Sequence, residues 1–179
     1  MIVPSINEFI AAAREFCSFA VDEREVVPAD LWKARALLLC LISNIPAVEA
    51  APQGVDFDGI GPDDTTLRKS VARFNKLPFS FYRVVFDPHD LGVIDEPVMG
   101  NLADDLSDIF IDLAEGLDLV DQGHLEEACF EWSFSYRSHW ARHAVNALMA
   151  IELHRTDNYD AADRINLVPS PESGEIALQ

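Results

Sequence analysis

Lysine and arginine are scarce in this sequence. Thirteen of them stand against 31 aspartates and glutamates, leaving a formal net charge of −18 over 179 residues. With no basic stripe to lay along phosphates, no nucleic-acid partner is expected. Cysteine is equally sparse: Cys17, Cys40 and Cys129 are odd in number, far apart and set among apolar neighbours. Without a Cys-x-x-Cys spacing there is neither a zinc ribbon nor a thioredoxin-type pair, and all three read as buried thiols in a reducing compartment. Long apolar runs are missing too. The longest, Ala36 to Ile42, is about a third of a membrane span, and Met1-Ile2-Val3-Pro4, followed by Glu8, Arg14 and Glu15, is no signal peptide. These absences predict a cytoplasmic protein with no membrane partner. Only 8 Gly and 10 Pro accompany a hydrophobic fraction of 49%, a balance that excludes a disordered chain.

What is present is helical periodicity. Ser5-x-x-Glu8 has the form of a capping box before Phe9, Ala12, Ala13, Phe16, Cys17 and Ala20, predicting a helix from about Ser5 to Val21. Pro28 suits a first helical position, and Leu31, Ala34, Leu38, Leu41 and Ile45 make a second stripe expected to stop before Pro46. Residues 47–62 read as a long loop. Asp63 or Asp64 caps a third helix ending near Pro78. Residues 79–86 fit either a strand or a helical turn, and 87–97 read as an acidic loop. Asn101 caps a fourth helix running to about Val120, with Gly123 as its stop. A fifth, long helix covers about Leu125 to His154. The expected fold is all-α, a single-domain bundle of about five helices with a long, largely buried C-terminal helix, over residues 1–156, followed by a polar tail at 157–179.

Two helices carry the chemistry. On a helical wheel, Leu102, Leu106, Ile109, Phe110, Leu113 and Leu117 share an arc of roughly 100°. Asp104, Asp108 and Glu115 point away from it, while Asp105 and Asp112 sit at its edge beside Ile109. The ladder Asp104, Asp108, Asp112 stacks like charges at i,i+4, which is mildly unfavourable unless a cation or basic partner compensates. On the fifth helix Leu125, Cys129, Trp132, Tyr136, Trp140, Ala147 and Ile151 form one stripe, and Phe130, Phe134, Ala141, Val145 and Leu148 a second. A helix apolar nearly all round is expected to be central. His143 lies within the first stripe, with His139 one turn earlier and His154 returning to the same face. Two histidines at i,i+4 suit a metal pair or proton handling, or two satisfied packing side chains.

Familiar motifs are lacking. No Glu-x-x-His pair of a di-iron bundle occurs, His139 and His143 are not separated in the zincin manner, and there is neither a phosphate-cradling Gly loop nor a Gly-x-Ser-x-Gly elbow. The carboxylates of the fourth helix echo the nucleotide pyrophosphohydrolases only loosely.

The segments Tyr82-Arg83, Asp87-Pro88, Pro97 to Ile109, Asp112-Leu113 and Gly116-Leu117 do carry a resemblance. So do Trp132, His139-Trp140, His143-Ala144 and Ala147-Leu148. Together they resemble a bacterial family, domain of unknown function 5063. The resemblance implies an all-helical bundle and no particular activity. Gly100-Asn101-Leu102 and His139-Trp140-Ala141 stand where such members tend to read Gly-Ser-Leu and His-Trp-Gly.

Two functions are therefore expected in competition. The first is a non-catalytic, acidic interaction or regulatory protein with a basic protein partner and no cofactor. The second is a metal-dependent hydrolase or small-molecule site, with a divalent metal held by candidates Asp105, Asp108, His139 and His143. Asp112 completes the polar site, and Arg83 orients an anionic group.

Overall fold

The computed structural model describes residues 4–55, 60–85, 88–90, 92 and 96–164, of which 155–164 by backbone only. Its elements are α1 (Ile6–Ala20), α2 (Ala29–Ala50), α3 (Asp64–Phe74), β1 (Phe81–Val84), β2 (Val98–Asn101), α4 (Leu102–Asp121), α5 (Leu125–Ser135) and α6 (Ala141–Arg164). A π turn, Tyr136–Trp140, joins α5 to α6 without a break, so the long C-terminal helix expected from the sequence is present. Among the described residues the fold is all-α apart from one two-stranded sheet.

α4 is the hub, packing against α1, α3, α5 and α6. Its buried residues include Ala103, Asp105, Ser107, Asp112, Gly116 and Leu119 besides the apolar stripe, an arc of well over half the wheel. The long C-terminal helix packs on several sides, against α2 and α4, but not all round. α5, the π turn and α6 bury Cys129, Trp132, Trp140, Ala144, Ala147 and Ile151, but Phe134 (56% exposed), Val145 (55%), Met149 and Leu153 lie at the surface. The core has one central helix, and it is α4.

Several local expectations need correcting. Ser5 makes no side-chain cap; instead its N–H donates to Asn44 Oδ1 at 2.9 Å, so α2 caps α1 across the bundle. α2 does not stop at Pro46 but runs through it to Ala50. Proline there removes one ladder hydrogen bond, and burial of Ile45 and Val48 on either side carries the helix onward. This helix is long and apolar enough to cross a membrane by composition alone, yet here it packs on α1, α5 and α6. α3 ends at Phe74, short of Pro78, although Asp63 caps it by accepting from Thr66 N–H at 2.7 Å. Cys129 alone is buried; Cys17 is half-buried and Cys40 exposed.

The ambiguous segment 79–86 is a strand over Phe81–Val84, paired antiparallel with β2 in the register Tyr82↔Gly100. In the acidic loop 87–97, residues 88–90, 92, 96 and 97 are neither helix nor strand, and 87, 91 and 93–95 lie outside the described residues. Gly123, with φ +89°, closes α4 as expected, since an L side chain rarely adopts that backbone. Helical backbone continues to Arg164, past the start of the segment read as tail; 165–179 lie outside the described residues.

Candidate metal centre

The site is built by a close approach of α4 and α5. At Gly116 an added methyl group would stand 2.7 Å from Trp132 Cδ1 and nearer still to Nε1. Only glycine lets the indole lie against the α4 backbone, where Trp132 Nε1 donates to Leu113 O at 3.3 Å. From that contact α6 runs antiparallel to α4, so later histidines meet earlier aspartates.

His139 Nδ1 lies 2.7 Å from Asp112 Oδ2, and His143 Nδ1 lies 2.8 Å from Asp105 Oδ1. An ionised carboxylate only accepts, so each Nδ1 carries the hydrogen and donates it. Both imidazoles are thereby oriented with Nε2 free of these bonds. His143 Nε2 faces Asp108 Oδ2 at 3.5 Å, and the two rings meet edge to face at 4.9 Å between centroids. One ligand atom each from Asp108, His139 and His143 lies within 4.8 Å of the other two.

Burial divides the members into a base and a rim. Asp105 (6% exposed) and Asp112 (8%) are buried, whereas Asp108 and His143 are half-buried and His139 is exposed. Beneath the cluster, Tyr82 O–H donates to the second oxygen of Asp105 at 2.5 Å. Desolvation pushes the Asp108 carboxyl above its ordinary range, with the neighbouring charges of Asp104 and Asp105 adding to the effect and those of His143 and His139 opposing it. Desolvation likewise raises Asp112, against the hydrogen bond from His139. The bond to Asp105 raises His143, with the charges of Asp105, Asp108 and Asp104 adding to it. Burial raises the Tyr82 hydroxyl, so it is the donor at all ordinary pH.

The geometry has a chemical consequence at His143. In the neutral ring, Nδ1 holds the proton, so a bare Nε2 faces a carboxylate oxygen. Two lone-pair groups face each other, and a proton or a metal cation between them is favourable. Around a tetrahedral zinc, ligand atoms stand roughly 3.4 Å apart at bond lengths of about 2.1 Å. The present separations of up to 4.8 Å therefore require modest closure, and the exposed imidazole of His139 has room to turn.

Of the sequence candidates, Asp105, Asp108, Asp112, His139 and His143 come together. Asp108, placed on the outward face by the wheel, is only half-buried yet inside the cluster, because α6 covers more of α4 than a 100° stripe allows. Asp105 is the His143 acceptor. Arg83 does not join the cluster. Strand side chains alternate, and with Tyr82 turned to Asp105 the exposed Arg83 faces the other side. His154 is also apart, stacked on Phe79 at 4.6 Å. Tyr82 is not among the sequence candidates; it belongs only to the segments that carry the family resemblance. A groove of about 820 Å³ between α1 and α2, lined by Ala12, Leu37, Leu39 and Cys40, lies elsewhere.

Three comparisons with known proteins bear on the chain. The family model described as Domain of unknown function (DUF5063) matches residues 2–157. No curated protein matches in sequence. Among solved structures, the crystal structure of protein BF1032 from Bacteroides fragilis is similar with a TM-score of 0.66 at 15% identity, covering 82% of this chain and 89% of that one. That likeness is one of fold.

Proposed function

Since the chain belongs to this family of unknown function, its activity has to be read from its own residues, and we propose that it binds a divalent transition metal through Asp108, His139 and His143. The observation that carries this is the pair of carboxylate-anchored histidines, each held at Nδ1, gathered with Asp108 within 4.8 Å. A carboxylate holding the far nitrogen of a ligand imidazole is the usual outer arrangement of metal sites. Two imidazoles and one carboxylate suit zinc, iron or a neighbouring first-row ion better than magnesium or calcium, which favour all-oxygen sets. Three protein ligands leave positions for water and substrate, and the reaction class such a centre serves is hydrolysis by a metal-activated water.

The test is elemental analysis of protein purified without chelator, with thermal melts over a panel of divalent ions. A stoichiometric metal, or a melting shift lost in both His143→Ala and Asp108→Asn, supports the reading. Neither metal nor shift would sink it. Hydrolysis of ester and phosphoester panels by loaded protein, lost with Asp108→Asn, would extend it to an enzyme.

A second reading, the non-catalytic interaction protein, draws support from the exposed apolar residues Phe134, Val145, Met149 and Leu153 and the charge of −18. It takes a basic protein partner and is tested by affinity capture at low and high salt. Enrichment at no salt concentration removes its support. Under either reading we place the protein in the cytoplasm, which the unpaired cysteines favour.

A further inference from the structure

We infer that Tyr82 is a positioning residue of the metal centre, holding His143 in its Nδ1–H form through Asp105, and that Gly100 is the position that seats it. The inference rests on Asp108, His139 and His143 being the ligands.

Asp105 is buried, and its two oxygens are divided between two donors. Tyr82 O–H takes Oδ2 at 2.5 Å and His143 Nδ1 takes Oδ1 at 2.8 Å. With both oxygens engaged the carboxylate cannot turn about its own axis without losing a bond. It presents Oδ1 to His143 in one orientation, and the imidazole is fixed with Nε2 toward Asp108. Without the tyrosine hydroxyl, Oδ2 is left buried and unmatched, and the carboxylate is free to rotate or to draw in water.

The hydroxyl is delivered by the strand pair. Tyr82 lies opposite Gly100, and a methyl group at Gly100 would stand 2.5 Å from Cζ and 2.7 Å from Cε2 of the tyrosine ring. The ring thus lies across the bare glycine backbone, and any side chain there displaces it. Asn101, the next residue, caps α4 by accepting from Ala103 N–H at 3.0 Å. The strand that seats Tyr82 is therefore continuous with the helix carrying Asp105 and Asp108.

A purely structural Tyr82 would tie the strands to α4 and leave metal affinity alone. The two roles separate in a titration with Co²⁺, followed by its visible absorption, on wild type, Tyr82→Phe, Gly100→Ala and Asp108→Asn, with apo melts alongside. Expected is binding by wild type, none by Asp108→Asn, and a loss of about tenfold or more in affinity for Tyr82→Phe and Gly100→Ala. Independently of any variant, ring-nitrogen NMR of wild-type His143 at alkaline pH is expected to show the proton on Nδ1. Tyr82→Phe binding within about twofold of wild type, or His143 carrying its proton on Nε2, overturns the inference while leaving the metal centre standing. No Co²⁺ binding by wild type overturns both.

Discussion

Replacing Asp108 by asparagine separates a metal ligand from a structural carboxylate, because the two roles move apo stability in opposite directions. In the apo protein Asp108 is desolvated, stands one helical turn from Asp104 and near Asp105, and has its carboxyl pushed above the ordinary range. A carboxyl raised above its unfolded value is penalised in the fold when ionised, so the penalty is present above the folded value and relieved as pH falls through it. The opposing attraction to His143 at 3.5 Å involves side chains 29% and 24% exposed and is worth at most about 1 kcal/mol. Asparagine removes charge at nearly constant volume. At mildly alkaline pH, apo Asp108→Asn is therefore expected to melt at or above the wild-type temperature. Metal reverses the order. At a free concentration one hundred times its dissociation constant, a ligand bound only by the fold adds about 2.7 kcal/mol. For a domain of this size each kcal/mol moves the midpoint by about 2–4 °C, so wild type is expected to rise by about 5–11 °C and the variant not at all. Differential scanning fluorimetry with and without zinc, after chelator treatment, reads both halves. A variant that keeps the metal shift refutes the ligand assignment. An apo variant several kcal/mol less stable would mean that the carboxylate serves the fold.

Acid should weaken metal binding. His143 is raised by its bond to Asp105, so its proton competes with metal to higher pH than a free imidazole's, and apparent affinity from Co²⁺ titrations should climb about tenfold per pH unit until the ring is neutral. In the apo protein the same pairing contributes stability that is full below the unfolded value of about 6.5 and lost as pH rises through the folded one. Urea melts should accordingly show the largest deficit of His143→Asn on the acid side of neutrality; a deficit growing with pH contradicts the pairing. Gly116→Ala drives a methyl group into Trp132 and should cost about 1–3 kcal/mol in urea unfolding, whereas a neutral result would deny the close approach of α4 and α5. Asp30→Ala strips a buried carboxylate from Arg24 and from Arg73, whose side chain is only 4% exposed, and a loss of about 3–5 kcal/mol is expected. A loss under 1 kcal/mol would show that the guanidinium finds water instead.

The helices were legible wherever a stripe and its punctuation agreed: α1, the Asp63 cap of α3, and α4 from Asn101 to Gly123. The members of the site were legible too, because carboxylates on the edge of a stripe and histidines at i,i+4 are visible in a linear text. Their convergence was not, since it depends on Gly116 admitting Trp132. Nor did the text reveal that α4 is central, because a wheel measures apolar width and the flanks of α4 are filled by Ala103, Asp105, Ser107 and Gly116, small or polar residues that sit under neighbours. The opposite error occurred on α5 and α6, where Phe134 and Val145 extend the apolar pattern into solvent. Arg83 is a sequence candidate and Tyr82 is not, because 79–86 could not be identified as a strand. Once it is one, alternation decides which of the two faces α4.

Trp132, Tyr136, Trp140 and Ala144 follow one another at intervals of four with no interval of three. In an α-helix each such step drifts by about 40°, and three of them would carry Ala144 far from the line of Trp132. The π turn at Tyr136–Trp140 absorbs the drift, and Trp132, Trp140 and Ala144 are all fully buried. The two halves of the long helix are thus held in phase by one surplus residue. Removing one residue of the turn, Arg137 or Ser138, would leave an uninterrupted α-helix with everything beyond it still in phase. An added residue that no second π turn absorbs would instead turn everything beyond it by about 100° relative to α5. His143 would swing off Asp105 although no residue of the cluster had changed. At this point chain length is as much a determinant of the site as residue identity, and a further residue would uncouple the His139 and His143 side chains from Asp112 and Asp105 while the core still packs around Trp132.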